Sequence, residues 1–397
     1  MPDSRYLIVG GGMTADAAVS GIRKHDRQGT ITLIGSEPHP PYDRPPLSKG
    51  LWKGKPLEGI WRKTESRDVR LLLGRSVRSL DVAARTVTDD SGTSHHFEKL
   101  LLATGGTPRR LPFGGGGVIY FRTLDDYQRL RALAGERERF AVVGGGFIGA
   151  EVAAALVMHG KRVVMVFPDE TIGARLFRKP LGVFLNEYYR SKGVEVRAGA
   201  KVEGLDQHGT CTVLHVGGGG SAMTGDIEVD VVVAGLGITP NTELARDAGL
   251  AVDGGIVVDE LLRAGRPDVF AAGDVASFTS LVLGTRMRVE HEDNALTMGA
   301  IAGENMAGAT VPYHHLPFFY SDLFDLGYEA VGELDSRLET FTDWVEPNRK
   351  GVVYYLHAGR VRGVLLWDVW GKVDAARALI AEPGPFAPAD LVGRIAA

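Results

Sequence analysis

Apolar residues in this chain fall into short runs separated by glycine clusters and by stretches of helical spacing. Tyr6-Leu7-Ile8-Val9 is followed by Gly10-Gly11-Gly12, an apolar-periodic stretch and a second apolar run. The pattern predicts a buried strand over 7–9, a helix over 14–24 and a strand over 30–34 that ends at Gly35-Ser36-Glu37. That is a complete βαβ unit. The same succession returns as a strand over 140–143, a helix over 148–159 and a strand over 162–167 that ends at Pro168-Asp169-Glu170. Right-handed crossovers place each unit in a parallel sheet, so the chain duplicates one architecture.

The segments around these units carry turn signals. Leu100-Leu101-Leu102-Ala103-Thr104-Gly105-Gly106 and the glycine run 114–117 read as the exit from a first domain into a connector. Phe121-Arg122-Thr123-Leu124-Asp125-Asp126 enters a helix, with Thr123 as N-cap and Asp126 as its reciprocal partner. Gly217 to Gly220 reads as a hairpin or surface loop, and Asp230 to Ala234 as a buried strand leading into the turn Gly235-Leu236-Gly237-Ile238-Thr239-Pro240-Asn241. From Tyr313 the signals become antiparallel: 327–332, 338–342, and 351–356 turning at His357-Ala358-Gly359-Arg360 into 361–367. A helix over 374–380 and a loop-like tail with Pro383, Pro385 and Pro388 before a short last helix complete a small α+β domain.

Composition narrows the function classes. At 397 residues the chain exceeds the size of a single core, so two or three domains are expected. Its 44% hydrophobic and 24% charged residues are those of an ordinary globular protein. A net charge of −4, spread without long runs of one sign, gives no reason to expect nucleic acid or an anionic membrane as partner. The lone Cys211 forms neither an intramolecular disulfide nor half of a Cys-x-x-Cys pair, which excludes dithiol chemistry within one chain. The first strand starts almost at Met1, leaving no room for a signal or transit peptide, and no apolar stretch approaches the ~18 residues of a membrane span. A reducing cytoplasm is the expected location.

The glycine clusters carry the chemistry. Gly10-Gly11-Gly12-Met13-Thr14-Ala15 and Gly144-Gly145-Gly146-Phe147-Ile148-Gly149 each lie between a strand and a helix. In such a turn the first glycine bends sharply, the second lets backbone approach a pyrophosphate, and the third small residue lets helix pack on strand. Free N–H groups at the helix N-terminus hold the anion. Glu37 ends the second strand, where a carboxylate accepts from ribose hydroxyls; the alternative is a loop glutamate. Asp169 holds the corresponding place in the second unit, with Glu170 adjacent and no arginine in the immediate turn. An acid there accepts from a free 2′-hydroxyl and repels a 2′-phosphate, favouring NADH over NADPH, with Arg175 near enough in sequence to weaken that preference.

Other polar groups stand out. Pro40-Pro41-Tyr42-Asp43-Arg44-Pro45-Pro46-Leu47-Ser48-Lys49 reads as extended and stiff, so that Arg44 and Lys49 are held rather than floating. A lysine near a flavin N5 favours the electron-rich reduced ring, and a carboxylate orients that lysine; Glu151, just beyond Gly149, is the candidate. The alternative for Lys49 is a solvated surface lysine. Val269-Phe270-Ala271-Ala272-Gly273-Asp274 puts an acid after a strand at the expected start of a helix, as a ribityl ligand or as an N-cap. Glu290-His291-Glu292-Asp293-Asn294 does not read as a metal site, because adjacent residues point in different directions and no second ligand pair completes one; a structural or flavin-ring contact is expected for His291. No nucleophile elbow or phosphate-transfer loop is present.

With these residues the chain resembles the apoptosis-inducing factor-like flavoproteins of the ferredoxin-reductase branch, which share the glutathione-reductase fold. The matching segments include both glycine fingerprints, Pro41 to Lys49, Ala103-Thr104-Gly105-Gly106-Thr107-Pro108-Arg109, Ala272-Gly273-Asp274, Arg288-Val289-Glu290-His291, Gly303-Glu304-Asn305-Met306 and Ser321-Asp322-Leu323 with Gly327-Tyr328-Glu329-Ala330. The resemblance implies an α/β fold class, with two Rossmann-like dinucleotide-binding domains and a small α+β C-terminal domain. Its domains would be an FAD-binding domain over 1–112 and 238–311, an NAD(H)-binding domain over 113–237 and a C-terminal domain over 312–397.

For FAD it implies Gly10, Gly12, Met13, Thr14, Ala15, Glu37, Arg44, Lys49, Val77, Ala103, Thr104, Gly105, Arg122, Gly273, Asp274, His291 and Tyr320. For NADH it implies Gly144, Gly146, Phe147, Ile148, Gly149, Glu151, Asp169, Gly237, Glu290 and Glu329, with Lys49 and Glu151 as the catalytic pair. The function implied is an FAD-dependent NADH oxidoreductase passing hydride to flavin N5 and electrons onward to a ferredoxin, a rubredoxin or a quinone-like small molecule. The other reading is a redox sensor with slow turnover and a long-lived reduced complex. A homodimer is common in the branch. Two departures are visible: Tyr320 stands where the family usually has tryptophan, and the long polar insertion of the mitochondrial relatives is absent between Gly332 and Gly351.

Overall fold

A computed structural model describes residues 4–218 and 224–396. The chain divides into two units, one made of Met1–Arg44, Pro56–Thr107 and Thr239–Phe318, the other of Pro45–Lys55, Pro108–Ile238 and Phe319–Ala397.

The first unit is built on a sheet whose strands lie in the order Arg263–Arg266, Val269–Ala271, Ser94–Leu102, Ser4–Val9, Ile31–Gly35 and Val69–Leu73. From Val269–Ala271 to Val69–Leu73 all neighbours are parallel. Leu7, Ile8, Leu33, Leu100 and Leu101 are fully buried, which is why these strands are continuous apolar runs rather than alternating ones. Helix Met13–His25 follows the first strand and packs on helix Glu292–Met306. The approach is close because Gly299 and Gly303 face the Thr14 and Ala18 carbonyls, and a Cβ on either glycine would overlap them. At its N-terminal turn, buried Asp16 accepts from Arg62 at 2.7 Å, from Thr64 at 2.5 Å and from Arg67. Beyond it, Glu304 joins the two helices by accepting from Lys24 at 2.7 Å and His25 Nε2 at 3.1 Å.

Two expectations in this unit and its neighbouring loop change. Gly273-Asp274-Val275 is a single 3₁₀ turn running straight into strand Ala276–Ser280, so Asp274 does not begin a helix. Val275, Ala276 and Phe278 are apolar and buried, and strand pairing of Phe278–Ser280 with Thr285–Met287 takes the backbone that a helix would have used. The proline segment is likewise not extended throughout: Tyr42 bridges to Trp61, and Pro45–Leu47 then forms a 3₁₀ turn. The fixed φ of consecutive prolines suits the first turn of a helix as well as an extended chain.

The second unit holds the duplicate sheet, in the order Val194–Ala198, Arg162–Phe167, Arg139–Val143, Val231–Ala234 and Val118–Tyr120, parallel throughout. Helix Leu124–Glu136 starts with Thr123 Oγ1 accepting from the Asp126 N–H at 3.2 Å while Asp126 accepts from the Thr123 N–H at 2.8 Å. Of the glycine run expected to turn, Gly217 and Gly218 end strand Cys211–Gly218, and Gly219 and Gly220 lie outside the described residues. The C-terminal part is a sheet in the order Phe318–Leu323, Leu326–Gly332, Arg360–Trp367, Lys350–His357 and Glu339–Glu346, covered by helix Val373–Ala381. Pro388 opens the last helix, Pro388–Leu391, rather than preceding it, because proline is favoured in a first helical turn. Among the described residues no helix is long and apolar enough to cross a membrane.

Two outcomes follow from the helix pair. Gly303→Ala forces a methyl group against the Ala18 carbonyl and is expected to cost about 1–3 kcal/mol, read as a lower urea midpoint; an unchanged midpoint contradicts the tight approach. Burial pushes the Glu304 carboxyl up, but Lys24 and His25 outweigh it and hold it below its ordinary value of 4.5. A carboxyl lowered in the folded state contributes stability above pH 4.5 that is lost as pH falls through the lower folded value. Glu304→Gln is therefore expected to flatten the acid limb of the stability profile.

Candidate functional site

Both glycine turns are shaped by the same constraint. Gly10 (φ +127°) and Gly144 (φ +119°) lie in the region glycine favours, and a Cβ on either would overlap a carbonyl, that of Ala103 or of Gly235. Gly12 and Gly146 are the N-caps of Met13–His25 and Phe147–Met158, neither with a side-chain capping bond. A Cβ at either would meet nothing within 4 Å. Each turn thus presents uncapped helix N–H groups across open space, a cradle that fits a pyrophosphate and that a side chain would fill. The third small position differs: Ala15 is accepted and fully buried, whereas a Cβ at Gly149 would strike the Gly144 carbonyl.

In the first unit Met13 and Thr14 are buried beside the cradle, and Gly273 (φ +77°) packs its backbone on Thr14. Glu37 follows the second strand with both carboxylate oxygens engaged: Oε2 accepts from the Tyr42 hydroxyl at 2.6 Å and Oε1 from the Arg44 guanidinium. Arg44 also lies over the Tyr42 ring at 5.1 Å, and its backbone N–H points at Met13 Sδ. Burial opposes its charge, but Tyr42, Glu37 and Asp274 hold the guanidinium above its ordinary value. Oriented in this way, the Glu37 carboxylate keeps free lone pairs for hydroxyl donors. Ala103 continues its strand by donating to Val9, Thr104 Oγ1 donates to the Asn241 carbonyl at 2.8 Å, and Gly105 accepts from the Asn241 N–H. Val77 packs on the core of this unit. Glu290 is exposed and ion-paired with Arg288 at 2.7 Å, and His291 is the N-cap residue of Glu292–Met306.

In the second unit Asp169 lies beyond strand Arg162–Phe167 on a cavity of about 450 Å³ that Glu170, Arg178, Lys179 and Ser336 also line. The basic groups here are Arg178 and Lys179, the latter 2.5 Å from Glu170; Arg175 instead contributes its carbonyl to the Ser336 N–H. Gly237 (φ +79°) accepts from the Arg109 N–H and faces open space. Arg122 precedes the capping box and donates its backbone N–H to Asp126. Glu329 accepts from the Gly371 N–H at 2.9 Å.

The Lys49–Glu151 pair is in this same unit. Glu151 stands on the helix that opens at Gly146, its side chain 2% exposed, and Lys49 Nζ lies 2.8 Å from its Oε1 while itself 13% exposed. Nζ also lies 5.1 Å from the centre of the Tyr320 ring. The Lys49 loop is fixed by Trp52, a residue no sequence motif marked. Its indole donates to the Leu47 carbonyl at 2.8 Å, meets Tyr127 and His159 edge-on at 5.7 and 5.2 Å, and lies under the Arg131 guanidinium. Phe147 packs edge-on against Phe319 at 5.3 Å. Thus Lys49, Arg122, Gly144 to Gly149, Glu151, Asp169, Gly237, Tyr320 and Glu329 belong to the second unit, and the other candidate residues to the first.

Trp52→Ala removes a buried aromatic anchor and is expected to lower stability by about 3–5 kcal/mol and to loosen the Lys49 loop, measured as faster proteolysis near Lys53. A loop as protected as before contradicts the anchoring.

Residues 4–299 match the family described as pyridine nucleotide-disulphide oxidoreductase, and residues 302–350 match "Apoptosis-inducing factor, mitochondrion-associated, C-term". The chain is 33% identical to apoptosis-inducing factor 1, mitochondrial, of Dictyostelium discoideum, over 95% of this chain and 78% of that protein. It is equally 33% identical to the ferredoxin–NAD(+) reductase component of the anthranilate 1,2-dioxygenase system of Burkholderia cepacia, over 95% and 94%. A chain in the crystal structure of the covalent putidaredoxin reductase–putidaredoxin complex superimposes with a TM-score of 0.90 at 28% identity, covering 98% of this chain and 95% of that one. The two nucleotide cradles and the overall match agree: this chain belongs to the pyridine nucleotide-disulphide oxidoreductase family, as an FAD- and NAD(H)-dependent oxidoreductase.

Proposed function

We propose that the chain is a reductase that takes hydride from NADH and delivers electrons to a small redox protein of the ferredoxin or rubredoxin kind. The observation that carries this reading is the buried Lys49–Glu151 pair on the helix of the second glycine turn, in a chain whose single cysteine leaves no dithiol to be reduced. Bound FAD supplies a two-electron acceptor for hydride and a one-electron donor to the next carrier. In this reading Gly10, Gly12, Met13, Thr14 and Ala15 hold its pyrophosphate, and Glu37, oriented by Arg44 and Tyr42, holds its ribose. Val77, Ala103, Thr104, Gly105, Arg122, Gly273, Asp274, His291 and Tyr320 complete that site.

NADH binds at the second turn through Gly144, Gly146, Phe147, Ile148 and Gly149, with Asp169 on its ribose and Gly237, Glu290 and Glu329 as further contacts. Lys49 places a positive charge where reduction builds negative charge, and Glu151 aims that lysine. The FAD domain then spans 1–112 and 238–311, the NAD(H) domain 113–237 and the C-terminal domain 312–397. The expected setting is the cytoplasm, and the expected assembly a homodimer.

A second reading is favoured by the match of residues 302–350 to the apoptosis-inducing factor C-terminal family: a slow NADH sensor whose reduced complex persists. Anaerobic stopped-flow reduction by NADH, followed by turnover with a ferredoxin, a rubredoxin and a quinone in parallel, separates the two. Rapid reduction and rapid protein-coupled turnover are expected; slow turnover with every acceptor and a persistent long-wavelength band selects the sensor. Lys49→Ala is expected to slow reduction by about tenfold or more, the equivalent of one charged hydrogen bond. Unchanged reduction kinetics remove Lys49 from the catalytic pair.

A further inference from the structure

Glu151 has more partners than Lys49. Its Oε1 accepts from Lys49 Nζ at 2.8 Å and from Ser321 Oγ at 2.6 Å, and its Oε2 accepts from Ser48 Oγ at 2.5 Å. Ser321 is fully buried and Ser48 nearly so. The three donors come from two segments: Ser48 and Lys49 are consecutive in the loop pinned by Trp52, and Ser321 follows Tyr320 on the first strand of the C-terminal sheet. Ser321 also hydrogen-bonds with the buried Tyr328 hydroxyl.

The terminal torsion of a glutamate is broad, so its rotamer does not fix the carboxylate plane. Donors on both oxygens do fix it. Ser48 holds one oxygen from the lysine's own loop, and Ser321 shares the other with the ammonium. The hydroxyls also spread the carboxylate's charge over three donors, so less of the lysine's positive field is spent on Glu151.

We propose that Ser48 and Ser321 are positioning residues for the reduction step: through Glu151 they set where the Lys49 ammonium sits and how much of its charge reaches the flavin. Neither serine need touch FAD or NADH. The proposal rests on the assignment of Lys49 and Glu151 to the flavin. Losing either hydroxyl leaves the Glu151 charge less compensated, which makes the surroundings more negative and the bound flavin harder to reduce.

The test uses FAD-loaded full chain carrying Ser48→Ala, Ser321→Ala, Ser48→Thr, Ser321→Thr or Lys49→Ala. Flavin midpoint potential is measured by dye equilibration, and limiting reduction rate and apparent NADH affinity by anaerobic stopped flow. Each alanine variant is expected to shift the potential to more negative values and to slow limiting reduction about tenfold, with NADH affinity and FAD content unchanged. Threonine is expected to restore both. Should Ser321→Ala fail to load FAD, Ser321→Cys, close in size with a weaker donor, must show the same shift. An unchanged potential and rate in both serine variants, beside an altered Lys49→Ala, overturns the proposal alone. No effect in Lys49→Ala as well overturns the assignment beneath it.

Discussion

A strand that becomes a helix within three residues leaves no room for a side chain at the bend, and both halves of this protein are organised around that restriction. At Gly10 and Gly144 the backbone passes so close to a neighbouring strand's exit, at Ala103 and at Gly235, that any Cβ would overlap a carbonyl. The same bend leaves Gly12 and Gly146 as N-caps, so neither helix has an N-cap side chain to accept from its first N–H groups. In an ordinary helix a serine or aspartate would satisfy them. Here glycine supplies no cap, and the open space beside each helix start fits a pyrophosphate.

The two turns part company at their third small residue and in what their helices carry next. In the first unit the helix runs on through Asp16, buried beneath two arginines and a threonine, and against a second helix whose glycines admit it closely. Its early polar residue is spent on structure. In the second unit Glu151 occupies the corresponding part of the helix, equally buried, but its partners are a lysine and two serines from segments remote in sequence. A buried carboxylate costs stability unless it is paired and fully hydrogen-bonded, and here three donors meet that cost. The result is a Lys49 ammonium held against a fixed carboxylate.

Much of this was legible in order of residues. The strand–helix–strand successions, the reciprocal cap of Thr123 and Asp126, and the antiparallel run to Trp367 follow from local spacing; most ends fall within a residue or two, but the first strand begins at Ser4 rather than Leu7 and the strand read over 338–342 runs on to Glu346. What failed was also local reasoning. Glycine then aspartate after a strand suggests a helix start at Asp274, yet pairing of Ala276–Ser280 with its neighbour decides the backbone there. Consecutive prolines suggested an extended rod, and a 3₁₀ turn uses the same φ. Trp52 carried no signal because its role depends on Tyr127, His159 and Arg131, which no spacing connects to it.

The sequence by itself determined the duplicated nucleotide-binding architecture, because glycine turns, apolar runs and helical periodicity act over a few residues and leave a local trace. It also marked Lys49 and Glu151 as partners worth testing. Only the tertiary structure decided that Ser48 and Ser321 share that carboxylate with Lys49, that Arg178 and Lys179 rather than Arg175 line the Asp169 cavity, and that Lys49 is grouped with the second unit while Arg44 is grouped with the first. Those outcomes rest on contacts between residues from nine to 170 positions apart, and such contacts are set by how the chain packs, which no short pattern records.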